Sequence, residues 1–189
     1  MDQPQGILVF GANGSGKTTL GRELARILDF KHMDIEEYFF EPSGIPYTAA
    51  RPREDCLHLM LADMEKYRSF VLSACTGDFG EAIARFYALA VYMSAPPALR
   101  LERVKRRSYE QHGGRILPGG DMYEQEQGFF AHVATRPLSK IDQWAQSLTC
   151  PVMRVDGTVD WRANAADIAE HYLALKASRT PSAHGSPCP

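Results

Sequence analysis

A chain of 189 residues is long enough for one ordinary domain with a sizeable core, and 44% hydrophobic with 23% charged residues is a soluble globular balance, not a disordered or fibrous one. A formal net charge of −2 gives no global pull toward nucleic acid, and no apolar run is long enough to span a bilayer. The N-terminus lacks a signal-peptide pattern, and Cys56, Cys75, Cys150 and Cys188 form no C-x-x-C pair or metal spacing, so the expectation is a cytoplasmic protein with reduced thiols and no zinc.

The first apolar run, Ile7–Phe10, reads as a strand and leads directly into G-A-N-G-S-G-K-T-T at residues 11–19. Gly11 and Gly16 frame Ala12, Asn13, Gly14 and Ser15, and Lys17, Thr18 and Thr19 follow. This is the G-x-x-x-x-G-K-[ST] spacing. Glycines let successive backbone N–H groups curl inward as an anion cradle. From Thr18 to about Leu28 the pattern is helical, with Leu20, Leu24, Ile27 and Leu28 on one face. The cradle therefore sits at a helix N-terminus, where free N–H groups and the helix dipole favour phosphate. Lys17 would reach the outer phosphates and the Thr18 hydroxyl would hold Mg²⁺.

Lys31–Asp34 reads as a second strand, Pro42, Gly44 and Pro46 mark a loop, and Glu54 to about Tyr67 is helical. Phe70–Ala74 reads as a third strand, Gly80–Tyr87 as a short helix and Leu89–Met93 as a fourth strand. Pro96-Pro97 opens an arginine-rich helix. Gly113-Gly114 and Pro118-Gly119-Gly120 bracket a mobile stretch, and a long helical region then breaks near Pro137. Val152–Val155 reads as a fifth strand, and a last helix runs to about Leu175. Alternating strands and helices predict an α/β fold, a three-layer α/β/α sandwich around a five-stranded, mainly parallel sheet. The domain spans 1–176 with a lid at about 109–120, and residues 177–189, without large apolar side chains, read as a floppy tail. In such sheets ligands lie beyond the C-terminal strand ends. This puts the Gly11 loop, Asp34, the Thr76–Asp78 turn, the Ser94–Pro97 turn and Asp156 on one rim.

Asp34 can hold Mg²⁺ through water or take a proton from a substrate hydroxyl, with Glu36 and Glu37 nearby. Asp78 falls three residues past the apolar strand end, so it either faces the substrate or belongs to an ordinary turn. Arg51 and Arg53 can hold an anionic acceptor or simply decorate a helix start. Arg103 and Arg107 share a helix face, and Arg115 lies inside the Gly-flanked stretch. Arginines so placed can follow charge on a transferring phosphoryl group as a lid closes.

Four pieces together resemble the phosphate-loop small-molecule and nucleotide kinases, the group of adenylate kinase and shikimate kinase, over roughly residues 5–175. They are G-A-N-G-S-G-K-T-T, Asp34, the R-x-x-x-R of Arg103 and Arg107, and V-D-G-T at 155–158. The chain is also similar to bacterial proteins described as AAA-family ATPases, which share the G-R-I-L-P-G-G-D-M-Y-E region. The resemblance implies a P-loop NTPase fold, with Asp156 and Gly157 against the adenine, Arg103 near the base and Arg107 on phosphates. The D-G-F-P-R stretch of adenylate kinase and the G-G-G of shikimate kinase are absent, and C-T-G-D-F-G stands there instead. The expected activity is ATP- and Mg²⁺-dependent phosphoryl transfer to a small molecule. The alternatives are a regulatory module that hydrolyses ATP slowly and a nucleoside-monophosphate kinase.

Overall fold

The computed structural model describes residues 3–179. Its five strands are β1 (Gln5–Phe10), β2 (Lys31–Asp34), β3 (Ser69–Ala74), β4 (Tyr87–Ser94) and β5 (Val152–Asp156). They form one sheet in the order β2-β3-β1-β4-β5, and every neighbouring pair is parallel. The inner strands are nearly continuous apolar runs, as a sheet covered on both faces requires.

Side chains alternate along β1, so Leu8 and Phe10 enter one core and Ile7 and Val9 the other. On the first face they join Met60 and Met64 of α3 (Arg53–Tyr67) and Ile141 and Ala145 of α7 (Ser139–Gln146). On the second they join Leu20 and Leu24 of α1 (Lys17–Leu28) and Ala165, Ile168 and Tyr172 of α8 (Trp161–Arg179). The result is the expected α/β/α sandwich, with all C-terminal strand ends along one rim.

Three boundaries differ from the sequence reading. Only Glu81–Ala84 of the segment 80–87 is helical (α4), because the Phe86 carbonyl already accepts the Gly6 N–H and Tyr87 starts β4. The arginine-rich helix α5 runs over Pro97–His112 and takes in the first part of the expected lid. It continues because Val104 and Ser108 stay buried along it. Val104 packs with Ile116, Met122, Phe130 and Val133, and Ser108 hydrogen-bonds Glu126, both contacts reaching α6 (Tyr123–Thr135). The rest of that stretch is a 3₁₀ turn, Gly113–Ile116, and a tight loop. Finally, α8 extends to Arg179, so the first residues of the expected tail are helical, and positions 180–189 lie outside the described residues. Among the described residues no helix is long and apolar enough to cross a membrane.

Candidate active site

The loop after β1 depends on left-handed backbone that glycine adopts readily. Gly14 has φ 77°, and a Cβ there would run into the Arg100 carbonyl, so both dihedral and space exclude other residues. Gly16, φ 107°, caps α1 without a side-chain bond and leaves the first-turn N–H groups available to an anion. Lys17 folds back over this cradle, its Nζ donating to the Ala12 carbonyl at 2.9 Å. Burial lowers its proton affinity. Cys75, Glu36 and Asp34 oppose that effect, and Arg107 adds to it. The ammonium is half-buried in the cleft lining, and phosphate oxygens would repay its desolvation.

Asp34 ends β2, is 8% exposed and caps α2 (Ile35–Phe39), with one carboxylate oxygen accepting from the Glu36 N–H at 3.2 Å. The second oxygen remains for a metal-bound water or a substrate hydroxyl. Among the described residues no group of three or more His, Cys, Asp or Glu could hold a metal alone. A metal at Thr18 and Asp34 would therefore draw most of its ligands from phosphate and water, the mode usual for Mg²⁺.

A cleft of about 410 Å³ opens beside the loop, lined by Gly14, Gly16, Lys17, Thr18, Thr19 and residues of α5 and the β5–α8 turn. In α5, Arg103 donates Nη1 to the Ser15 carbonyl (3.4 Å) and Nη2 to the Gly157 carbonyl (3.0 Å). Arg107, one turn later, is exposed in the cleft and has no hydrogen-bond or ion-pair partner among the described residues. Gly157 lines the cleft. Asp156 instead shapes the turn, its carboxylate accepting the Thr158 N–H at 2.8 Å, an interaction that lowers its pKa. Ser15 is fully buried, and its hydroxyl has no partner.

Four residues that the sequence reading passed over belong here. Arg100, 3% exposed, donates to the Ala95 carbonyl (3.2 Å) and the Asn13 carbonyl (3.5 Å), bolting α5 to the phosphate loop. Its place one turn before Arg103 was the available signal. Arg136, just after α6, donates to Asn13 Oδ1 at 2.9 Å across 123 positions, and local sequence carries no sign of that. Tyr47 has φ 63°, an uncommon value for a bulky residue, and stacks edgewise on Phe40 at 5.4 Å. Desolvation first, then Glu36, raises its phenol pKa to about 12 against the opposing pull of Arg107, while the residue as a whole stays 44% exposed. Trp161, the first residue of α8, lines the cleft.

The two cations expected at the acceptor, Arg51 and Arg53, and the lid cation Arg115 are engaged elsewhere. Arg51 donates to the Tyr38 carbonyl and lies 3.6 Å from the Glu41 carboxylate. Arg53 donates to the Asp78 carbonyl at 3.0 Å, so the structure does bring Arg53 and Asp78 together. Arg115 sits outside the cleft lining, paired with Asp121 at 2.7 Å and donating to the Gly44 carbonyl at 3.2 Å. It ties the 113–121 segment to the loop before α3.

A family model described as AAA domain matches residues 7–127, nearly two thirds of the chain, from within β1 into the start of α6. The chain belongs to the AAA domain family. This AAA-domain chain is 27% identical over 158 residues to the uncharacterised Bacillus subtilis (strain 168) protein YqaC, spanning 79% of the chain and 87% of YqaC. It is 30% identical over 112 residues to the shikimate kinase of Neisseria meningitidis serogroup C, spanning 52% of the chain and 64% of that enzyme. Its fold matches that of Acinetobacter baumannii shikimate kinase in complex with shikimate, with a TM-score of 0.55 and 19% identity over 91% of this chain and 94% of the other.

Proposed function

We propose that this AAA-domain protein is a cytoplasmic, ATP- and Mg²⁺-dependent kinase that transfers the γ-phosphoryl group to a hydroxyl of a small molecule. The observation carrying this reading is the cleft beside the phosphate loop, lined by Lys17, Thr18 and Arg107, with the buried Asp34 carboxylate at the end of β2 on the same rim of the sheet. The Asp34 carboxylate keeps one oxygen free of the Glu36 N–H, and that oxygen can take a proton from an acceptor hydroxyl. The similarity to shikimate kinases supports a small hydroxylated acceptor.

The loop amides and Lys17 bind the phosphates. Asp34 orients the acceptor hydroxyl and takes its proton as the oxygen attacks the γ-phosphorus. The bond from that phosphorus to the β,γ-bridging oxygen breaks, ADP leaves, and Arg107 balances charge on the moving group. Thr18 and Asp34 would hold Mg²⁺, whose chemistry is to neutralise phosphate charge. Closure of the lid, with Arg115 moving from Asp121 toward the phosphates, would exclude water that would otherwise compete as acceptor. Arg51, Arg53 and Asp78 frame the acceptor pocket by fixing backbone, and nucleic acid and membrane play no part.

The test is a metabolite-pool screen with γ-labelled ATP. The expected result is label transferred to one metabolite class and ATP turnover that rises steeply with it. Slow turnover indifferent to every pool would refute the kinase reading and favour a regulatory nucleotide-binding module.

A further inference from the structure

Arg103 enters the nucleotide cleft with its edge already committed. Nη1 points at the Ser15 carbonyl and Nη2 at the Gly157 carbonyl. A guanidinium held edgewise in this way offers a ligand mainly its planar face, which stacks on a base and reads none of its edge atoms. Trp161 lines the same cleft. The Arg162 guanidinium lies 3.9 Å from the centroid of its ring, so one face is covered and only the other is left for a ligand. Val159, 48% exposed and two residues before Trp161, adds an apolar side chain to the same lining.

Edge readers are scarce at this end. Among the described residues the cleft lining contains no Asn, Gln or His. The Asp156 carboxylate accepts from Thr158, the Gly157 carbonyl accepts from Arg103, and Glu110 lies 3.8 Å from Arg106 on the exposed side of α5. Discriminating adenine from guanine by large factors needs buried directional groups that go unpaired with the wrong base. Stacking is tolerant, because every base has a π-face.

We infer that Trp161 is the nucleobase platform of this cleft and that, with the face of Arg103, it accepts purine nucleoside triphosphates by stacking, so that ATP and GTP both serve as phosphoryl donors. This rests on the kinase reading for the phosphate end of the cleft and adds a donor specificity to it. The phosphates, held by Lys17 and the loop amides, set where the ribose leaves the cradle, and the base then meets Trp161 at the start of α8.

The experiment is calorimetric titration of the wild-type protein, Trp161→Ala and Trp161→Phe with MgATP, MgGTP and magnesium tripolyphosphate. Circular dichroism checks the fold of each variant. Binding is also followed by tryptophan fluorescence, since the chain has only Trp144 and Trp161, and Trp144 packs on Phe10 at the other face of the sheet. Expected are ATP and GTP affinities within about fivefold of each other and quenching by both. Trp161→Ala should lose about tenfold or more for both nucleotides, in line with the ~1–3 kcal/mol of a base–aromatic stack. Tripolyphosphate affinity should not change, and Trp161→Phe should keep most of the nucleotide affinity. A wild-type preference for one purine above about thirtyfold overturns the inference. So does a Trp161→Ala variant that binds both nucleotides normally or loses tripolyphosphate equally. If the wild type binds tripolyphosphate but fails these tests, only the base platform falls. If it binds neither nucleotide nor tripolyphosphate, the phosphate-site reading falls with it.

Discussion

The phosphate loop and the loops that carry Arg51, Arg53 and Arg115 differ in what holds them. On the donor side, α5 grips the phosphate loop directly. Arg100 reaches the Asn13 carbonyl and Arg103 the Ser15 carbonyl, and Gly14 lies too close to the Arg100 carbonyl to carry a side chain. In the other loops, the arginines hold irregular backbone. Arg51 binds the Tyr38 carbonyl, Arg53 the Asp78 carbonyl and Arg115 the Gly44 carbonyl. The loop over residues 43–48 is fixed by small hydroxyl turns, with Ser43 and Thr48 both donating to the Ile45 carbonyl. A phosphate chain has the same shape in every nucleotide, so its cradle is rigid and backbone-built. An acceptor differs from kinase to kinase, so its pocket is assembled from loops that can vary without disturbing the sheet.

The strongest way to break that contrast is Lys17→Ala. Removing the half-buried cation at the phosphate loop should lower ATP turnover by about 10³-fold, a few kcal/mol of lost charge stabilisation, with the circular dichroism spectrum unchanged. Turnover near the wild-type level would mean that the loop is not the catalytic cradle.

Arg107→Ala comes next. Arg107 is unpaired among the described residues and lines the same cleft as Lys17, so its contacts should strengthen as charge moves onto the transferred group. A loss of about 10²–10³-fold in kcat with little change in KM for ATP is expected from steady-state kinetics. The same measurement on Arg115→Ala, with proteolysis at residues 109–120 followed with and without MgATP, sharpens the lid assignment. Arg115 belongs to the reaction only if its loss lowers kcat and nucleotide protects the segment.

The scaffold behind the donor side should respond to acid. His32 is half-buried, with Nε2 3.0 Å from Ser73 Oγ, and Ser73 in turn reaches the Lys17 carbonyl at 3.3 Å. Burial, chiefly, lowers the His32 pKa from 6.5 to about 4. The unfolded chain therefore takes up a proton near pH 6.5 that the folded chain refuses until about pH 4. Stability should fall as pH drops through that window, by on the order of 1–3 kcal/mol after allowance for partial solvent screening. Urea melts between pH 7 and 4.5 should show a smaller slope for His32→Gln, and parallel slopes would remove His32 from the account.

The smallest effect belongs to Arg53→Ala. The Arg53 side chain is exposed and spends its bond on the Asp78 carbonyl, so KM for ATP should stay within about twofold and stability within about 1 kcal/mol. A large rise in acceptor KM, once the screen has supplied an acceptor, would show that Arg53 leaves that carbonyl to bind substrate.

The parts legible in the sequence are those encoded within one stretch of chain. The Gly11–Thr19 spacing, β2 ending on Asp34 and the prolines opening α5 all lie where local pattern put them. The continuation of α5 to His112 was hidden, because glycines at 113–114 and 119–120 mark a turn but do not reveal that Glu126 and Phe130 bury its last turns. Tyr47 was hidden for a related reason. Its left-handed backbone depends on the loop being pinned by Arg115 and by Gln125, which donates to the Pro46 carbonyl.

By itself, then, the sequence determined the alternation of strands and helices, the phosphate cradle and the set of charged residues on the rim. Periodicity, glycine dihedrals and helix capping act over a few neighbouring residues. Only the tertiary structure decided which cations face the cleft. Arg107 does, while Arg51, Arg53 and Arg115 are bound to carbonyls, and Arg136 reaches Asn13 from the far end of α6. An arginine's role depends on which acceptor its long side chain reaches first, and those acceptors lie on elements distant in the chain that come near only when the sheet assembles.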